Sequence, residues 1–139
     1  MQNIKYRTVN LSEETEDLTN EKPCGFKFRN RTYWISRQAG WKKLLEEVVK
    51  LLYEINPKEF EEASYDGTEF LINYEPALWA INNRKPAENY SDDWWTKIAD
   101  NVYIYNKNST QRKLKNIRYF FELAGVPLSD LDIYIYDKK

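Results

Sequence analysis

The sequence contains no histidine, a single cysteine and only four glycines among its 139 residues. The lack of histidine excludes Ser-His-Asp triads, Cys-His nucleophile pairs and HNH-type nuclease sites. Cys24 alone can form neither an intrachain disulfide nor a cysteine-based zinc or iron–sulfur site. The glycines are too far apart for a P-loop or a dinucleotide-binding fingerprint. We therefore expect a protein that is not an enzyme, with no catalytic residue, no metal ligand and no cofactor.

Long hydrophobic runs are also missing. No stretch approaches the roughly 20 apolar residues that a membrane-spanning helix requires. The first nine residues are polar and do not resemble a secretory signal. Both observations predict a cytoplasmic protein, whatever cell makes it, that does not bind membranes.

Neither sign of charge is in excess, since 21 Lys and Arg residues balance 22 Asp and Glu residues to a net charge of −1. This balance excludes a bulk polyanionic mimic of DNA and a generic polycation. The charges are nevertheless grouped. Residues 22–45 carry seven bases and no acid, residues 46–75 have a net charge of −7, and residues 105–125 have a net charge of +4. The function therefore depends on how folding arranges these blocks.

Alternating and helical apolar patterns predict an α+β fold. We expect a β-hairpin, two amphipathic helices plus a short helix, and further strands in one antiparallel or mixed sheet. Residues 1–21 are predicted as an N-terminal strand and a flexible acidic segment, and residues 22–139 as a single domain. The individual elements are a hairpin over 24–36 with its turn at Asn30-Arg31, helices over 41–55 and 109–124, a short helix from Pro57, a strand from Glu69 after an Asp66-Gly67 turn, and strands over 102–105 and 132–136.

Two basic surfaces that include an aromatic residue are candidates for binding nucleic acid or a partner. A base can stack on an indole ring while lysine and arginine contact the phosphates. The alternatives are an ordinary solvated helix face and a tryptophan packed beneath another element. One surface is the outer face of the second long helix, with Arg112, Lys115, Arg118 and Tyr119. The other is the hairpin face with Lys27, Arg29 and Trp34, and the same basic block adds Arg31, Lys42 and Lys43 as candidate contacts.

Two further features allow a functional or a structural interpretation. Trp94-Trp95 follows a polar segment, and Trp95 is a candidate anchor for a protein partner, although the pattern slightly favours two structural tryptophans. An acidic cluster over 59–69 has the residue type for Mg²⁺ binding, but no Glu-x-Lys accompanies it, so a solvated surface or a docking face is favoured.

From Lys22 onward, aromatic and turn residues follow a distinctive order: Lys22-Pro23 with Phe26 and Phe28, Tyr33 with Ile35, Trp41 at the start of a helix that ends Leu52-Tyr53-Glu54, Asn56-Pro57 with Phe60, then Tyr103, Asn106 and Ser109 before a helix, and Leu131 to Ile133 at the end. This order resembles a small module appended to bacterial restriction, nuclease, methylase and phage-encoded proteins. That family offers no catalytic residues to transfer. The resemblance implies only a setting in restriction, defence or mobile elements.

These observations rank three functions and leave the oligomeric state open. The first is a non-enzymatic module of phage or bacterial-defence context that engages DNA, RNA or a protein–nucleic-acid complex through its basic faces. The second is a protein-directed, anti-CRISPR-like inhibitor that binds a defence nuclease effector complex. An Mg²⁺-dependent nuclease ranks third, and a small-molecule pocket lined by tyrosines also stays open.

Overall fold

The structure, a computed structural model, describes residues 5–13, 17–36, 38–70, 81–82, 95–107 and 109–137. Within these ranges the chain forms strands and three α-helices, with a short 3-10 helix at Leu128–Asp130. The strands are β1 (Tyr6–Asn10), β2 (Pro23–Phe28), β3 (Arg31–Trp34), β4 (Ile81–Asn82), β5 (Trp95–Ala99), β6 (Val102–Tyr105) and β7 (Leu131–Tyr136), and the helices are α1 (Gly40–Ile55), α2 (Pro57–Phe70) and α3 (Thr110–Ala124).

The strands form two antiparallel sheets, in the orders β1-β7-β2-β3 and β4-β6-β5. The predicted α+β class is confirmed, but the strands are divided between two sheets instead of sharing one. In the larger sheet, the last strand β7 pairs with both β1 and β2. The N-terminal strand is therefore part of the same sheet as the region after residue 22.

The hairpin of β2 and β3 turns at Arg29-Asn30, so the turn predicted at Asn30-Arg31 is wrong by one residue. Both turn residues have positive φ, 49° and 70°. Positive φ at both central residues is the mark of a type I′ turn. Hairpins favour this turn because its twist matches that of the paired strands. The faces of the strands are as predicted, with Tyr33 stacked on Phe26 in the core.

Helices α1 and α3 pack together and cover one face of the larger sheet. Their ends are set by local signals, since the Ser109 hydroxyl accepts the amide of Arg112 at the start of α3, and Gly125 ends it with a φ of 72°. The Asn56 amide donates to the carbonyl of Ala124 over 3.3 Å. The two helices therefore end side by side and run in the same direction. Their buried stripes contain Leu44, Leu45, Val48, Val49 and Leu52 in α1, and Leu114, Ile117, Phe120, Phe121 and Ala124 in α3.

Helix α2 has 14 residues and is not the short helix predicted. The turn at Asp66-Gly67 and the strand from Glu69 are wrong, because the backbone stays helical to Phe70. One helical glycine costs only about 1 kcal/mol, and burial of Phe60 against Phe120 anchors the helix. None of the described helices is long and apolar enough to span a membrane.

The acidic segment before β2 packs against the domain where the structure describes it. Leu11 and Leu18 are buried in the core, and the Trp41 indole donates to the carbonyl of Glu21 over 2.9 Å. Asp17 accepts a hydrogen bond from Gln111. The boundary predicted at residue 22 therefore does not separate a flexible segment from the domain, since residues 17–21 bridge the starts of α1 and α3.

Candidate nucleic-acid interface

The face of the larger sheet opposite the helices carries an aromatic cluster with two exposed members. Directly paired residues of antiparallel strands share a face, so the register places Tyr6, Tyr134 and Trp34 together on β1, β7 and β3. The Tyr134 ring centroid lies 4.5 Å from that of Tyr6 and 5.5 Å from that of Trp34. The Tyr6 and Trp34 rings meet edge-on at 5.7 Å. We call these three residues the aromatic face.

The aromatic face exposes large apolar rings. Trp34 is 55% exposed and Tyr6 is 42% exposed, whereas Tyr134 between them is buried. Trp34 therefore points outward as predicted, and the alternative in which it packs beneath another element is wrong. The two exposed rings have free surface for a further planar group, and the buried Tyr134 fixes their positions.

The basic residues nominated around the hairpin take different positions. Lys27 lies on the same face as Trp34, opposite Thr32 on one side and Asp132 on the other. Arg29 is held in the turn, where its Nε donates to Asp130 over 3.0 Å. Arg31 is exposed, but its pairing with Phe28 places it on the other face of the sheet. Of these three bases, only Lys27 lies on the aromatic face side.

The nominated face of α3 is exposed to solvent, with Lys115 and Arg118 exposed and Arg112 and Tyr119 half-buried. It lies opposite the stripe that packs into the core, whereas Trp34 lies on the far side of the sheet. The structure therefore does not bring the α3 face and the hairpin face into one surface.

Three lysines near the starts of α1 and α3 lie near enough for their positive charges to interact. Lys113 is only 8% exposed, and its pKa is lowered first by burial and then by the positive charges of Lys107 and Lys42. Lys43, the neighbour of Lys42, is instead paired with Glu47 at 3.0 Å. Lys42, Lys107 and Lys113 form what we call the basic end. The basic blocks at 22–45 and 105–125 therefore approach each other there.

The sequence patterns did not identify Tyr134 or Lys113 as candidate site residues. Tyr134 lies in β7, where Asp132, Tyr134 and Tyr136 alternate with buried Leu131, Ile133 and Ile135. That alternation identifies an outward-facing tyrosine, but not the strand that lies beside it. The burial of Lys113 had no signal in the sequence, because lysine at the edge of a helical stripe normally extends to solvent.

Trp95, the predicted partner anchor, is buried. It is 5% exposed and packs edge-on against Tyr105 at 5.2 Å. Its apolar surface is therefore already used inside the domain, which corrects the expectation of an exposed anchor. Trp94 lies outside the described residues.

The acidic cluster is spread along α2. Glu61 accepts a hydrogen bond from the Tyr53 hydroxyl over 3.1 Å. Tyr53 has a raised pKa, first because of desolvation and then because of this bond to Glu61. In the part of the chain that the structure describes, no three Asp, Glu or Cys side chains come close enough to hold a metal ion.

Comparison of this chain with protein-family models, with curated proteins and with solved structures finds no match.

Proposed function

We propose that the protein is a non-enzymatic module that binds single-stranded DNA or RNA. The observation that supports this most directly is the aromatic face, with a 55% exposed tryptophan beside a 42% exposed tyrosine on the sheet face opposite the helices. Unstacked bases bind such rings because each base has a planar π face. A four-stranded sheet with exposed aromatic side chains is a common platform for single strands.

Phosphate contacts come from two places in this proposal. Lys27 lies two residues from Gly25 on the same face of β2 as Trp34 on β3, and in this proposal it contacts the phosphate of the nucleotide whose base stacks on Trp34. The basic end supplies Lys42 and Lys107 at the starts of α1 and α3, where the helix dipoles also favour negative charge. Only five residues separate Trp34 from α1. In this proposal the bound single-stranded nucleic acid therefore runs from the aromatic face toward the basic end.

The biological setting is a separate part of the proposal. The resemblance of the aromatic and turn residues to restriction-associated and phage-encoded modules supports a role in bacterial defence or in its evasion. A cytoplasmic location in the bacterial cell fits that setting.

The test is fluorescence anisotropy with labelled single-stranded DNA and RNA of about 16 nucleotides, at low and at moderate salt. We expect binding that weakens with salt. Trp34→Ala should reduce affinity about tenfold, since stacking on one aromatic ring contributes about 1–3 kcal/mol. Ile55→Ala is the matched control, because Ile55 is also a large exposed apolar residue but lies at the end of α1.

Two results would overturn the proposal. One is the absence of binding to both nucleic acids at low salt. The other is equal affinity of the Trp34→Ala variant and the wild type. A pull-down with the immobilised protein, after nuclease treatment, tests the alternative. If either of these two results holds and the pull-down recovers a nuclease effector complex, the protein-directed inhibitor is favoured instead.

A further inference from the structure

The strand β3 forms one edge of the larger sheet, and no described strand pairs with its outer side. The amide of Ile35 donates to the carbonyl of Cys24 over 2.9 Å. In an antiparallel ladder every second residue bonds to the neighbouring strand, so Tyr33 bonds to β2. The backbone N–H and C=O groups of Thr32 and Trp34 therefore point away from β2 toward the open edge.

Within the described residues no proline or bulge interrupts this edge, although β3 is only four residues long and includes the charged Arg31. Edge strands are usually protected by lysine, proline, a bulge or a covering element. The two residues whose backbone groups point outward are Thr32 and Trp34, and neither is charged. Beside them lies a groove of about 300 Å³ between β3 and the start of α1, lined on the helix side by Ala39, Lys43 and Glu47.

We propose that β3 pairs with β3 of a second copy of this chain. The strands run antiparallel about a twofold axis at Tyr33, and Thr32 of each copy pairs with Trp34 of the other. This register joins two four-stranded sheets into one of eight strands. It satisfies the outward backbone groups of both copies with the same bonds, as a twofold interface requires.

The charges beside the edge are self-complementary, which favours a second copy over an unrelated partner. Lys43 and Glu47 lie one helical turn apart on α1 and are 3.0 Å apart within the chain. The twofold axis makes the two α1 helices antiparallel, so Lys43 of one copy faces Glu47 of the other. Charges within an isologous interface must complement the same patch on the partner, and a lysine and a glutamate side by side meet this condition. The net charge of −1 adds little repulsion between copies.

The test is sedimentation or light scattering of the full chain across a range of concentrations. We expect a particle of twice the 16.8 kDa of the single chain. Thr32→Pro should give a monomer, because it removes an outward N–H that the β2–β3 ladder does not use, a position where proline is tolerated.

Charge exchange provides an independent test that leaves the strand intact. Lys43→Glu should weaken dimerisation about tenfold by placing like charges across the axis. The double variant Lys43→Glu with Glu47→Lys should restore dimerisation. Lys58→Glu, an exposed charge reversal on α2, should have no effect. If Thr32→Pro does not fold, the charge variants at Lys43 and Glu47 test dimerisation through β3 on their own.

Three outcomes would overturn the proposal. The first is a monomer at every concentration. The second is a dimer that persists in a folded Thr32→Pro variant or that is insensitive to Lys43→Glu. The third is an assembly of more than two copies, because a twofold interface closes at two. None of these depends on nucleic-acid binding, so the two proposals fail separately.

Discussion

The indole ring of Trp34 takes the space that a side chain at Gly25 would need. The two residues are directly opposite each other on β3 and β2. A Cβ atom on Gly25 would lie 3.0 Å from the indole Cε3 and 2.5 Å from the carbonyl oxygen of Tyr33. The backbone of β2 and the ring of Trp34 approach this closely only because residue 25 is a glycine.

Gly25→Ala should therefore destabilise the protein and displace Trp34. We expect a loss of about 1–3 kcal/mol, as for other overpacked sites, and a change in the tryptophan near-UV signal, both measured during chemical denaturation. Gly40→Ala is the comparison, since its Cβ would meet nothing within 4 Å and only its φ of +58° opposes the change, at a cost of about 1–2 kcal/mol. An unchanged near-UV signal in Gly25→Ala would contradict the close approach of the ring.

Leu18→Ala should destabilise the domain even though Leu18 lies in an acidic segment. The side chain is 1% exposed, and truncation of a buried leucine costs about 2–5 kcal/mol. Ile55→Ala, at an exposed position, should cost much less. Denaturant titrations of both variants measure the difference, and equal stabilities would show that the acidic segment does not pack on the core.

Asp17 should contribute to stability in a pH-dependent manner. Its carboxylate accepts hydrogen bonds from the Thr19 hydroxyl, the Thr19 amide and Gln111, and these lower its pKa from the ordinary 3.8. A depressed folded pKa gives stability that is complete above 3.8 and is lost as the pH falls through the lower folded value.

Asp17→Asn removes this titration while keeping an oxygen that accepts hydrogen bonds. The variant should be less stable than the wild type at neutral pH, and the difference should shrink as the pH falls below 3.8. Denaturation at a series of acidic pH values measures it, with Glu54→Gln on the exposed side of α1 as the control. A difference that stays constant with pH would contradict the role of the carboxylate charge.

The basic end should determine the salt dependence of nucleic-acid binding. Replacing Lys42 and Lys107 with glutamate should reduce the slope of log affinity against log salt by about 0.7 for each phosphate of a single strand that the protein no longer neutralises. The matched control replaces Lys58 and Lys97, exposed lysines elsewhere on the surface. If the slope of log affinity against log salt is the same in both double variants, the basic end does not contact the phosphates.

Local patterns in the sequence were sufficient for elements whose signals lie within a few residues. The start of α3 at Ser109 and its end at Gly125 follow from capping chemistry. The outward position of Trp34 follows from alternation in the hairpin. The hairpin turn was misplaced because Arg29 occupies a positive-φ position that arginine rarely takes, and its bond to distant Asp130 holds it there.

Local patterns failed where interactions with distant residues dominate. Asp66-Gly67 has the composition of a turn, yet α2 continues through it while Phe60 packs on Phe120 of another helix. The acidic segment has the composition of a solvated chain, yet burial of Leu11 and Leu18 outweighs its charge.

The sequence by itself determined the absence of histidine chemistry, the α+β class, the capped helix α3 and the grouping of charge into blocks, because each depends on residue type or on neighbours within a few positions. Only the tertiary structure decided that Tyr6, Trp34 and Tyr134 form one face, that Lys42 approaches Lys107 and Lys113, and that Trp95 is buried. Those outcomes depend on strand order and helix packing, which bring together distant residues such as Tyr6 and Tyr134, 128 positions apart in sequence.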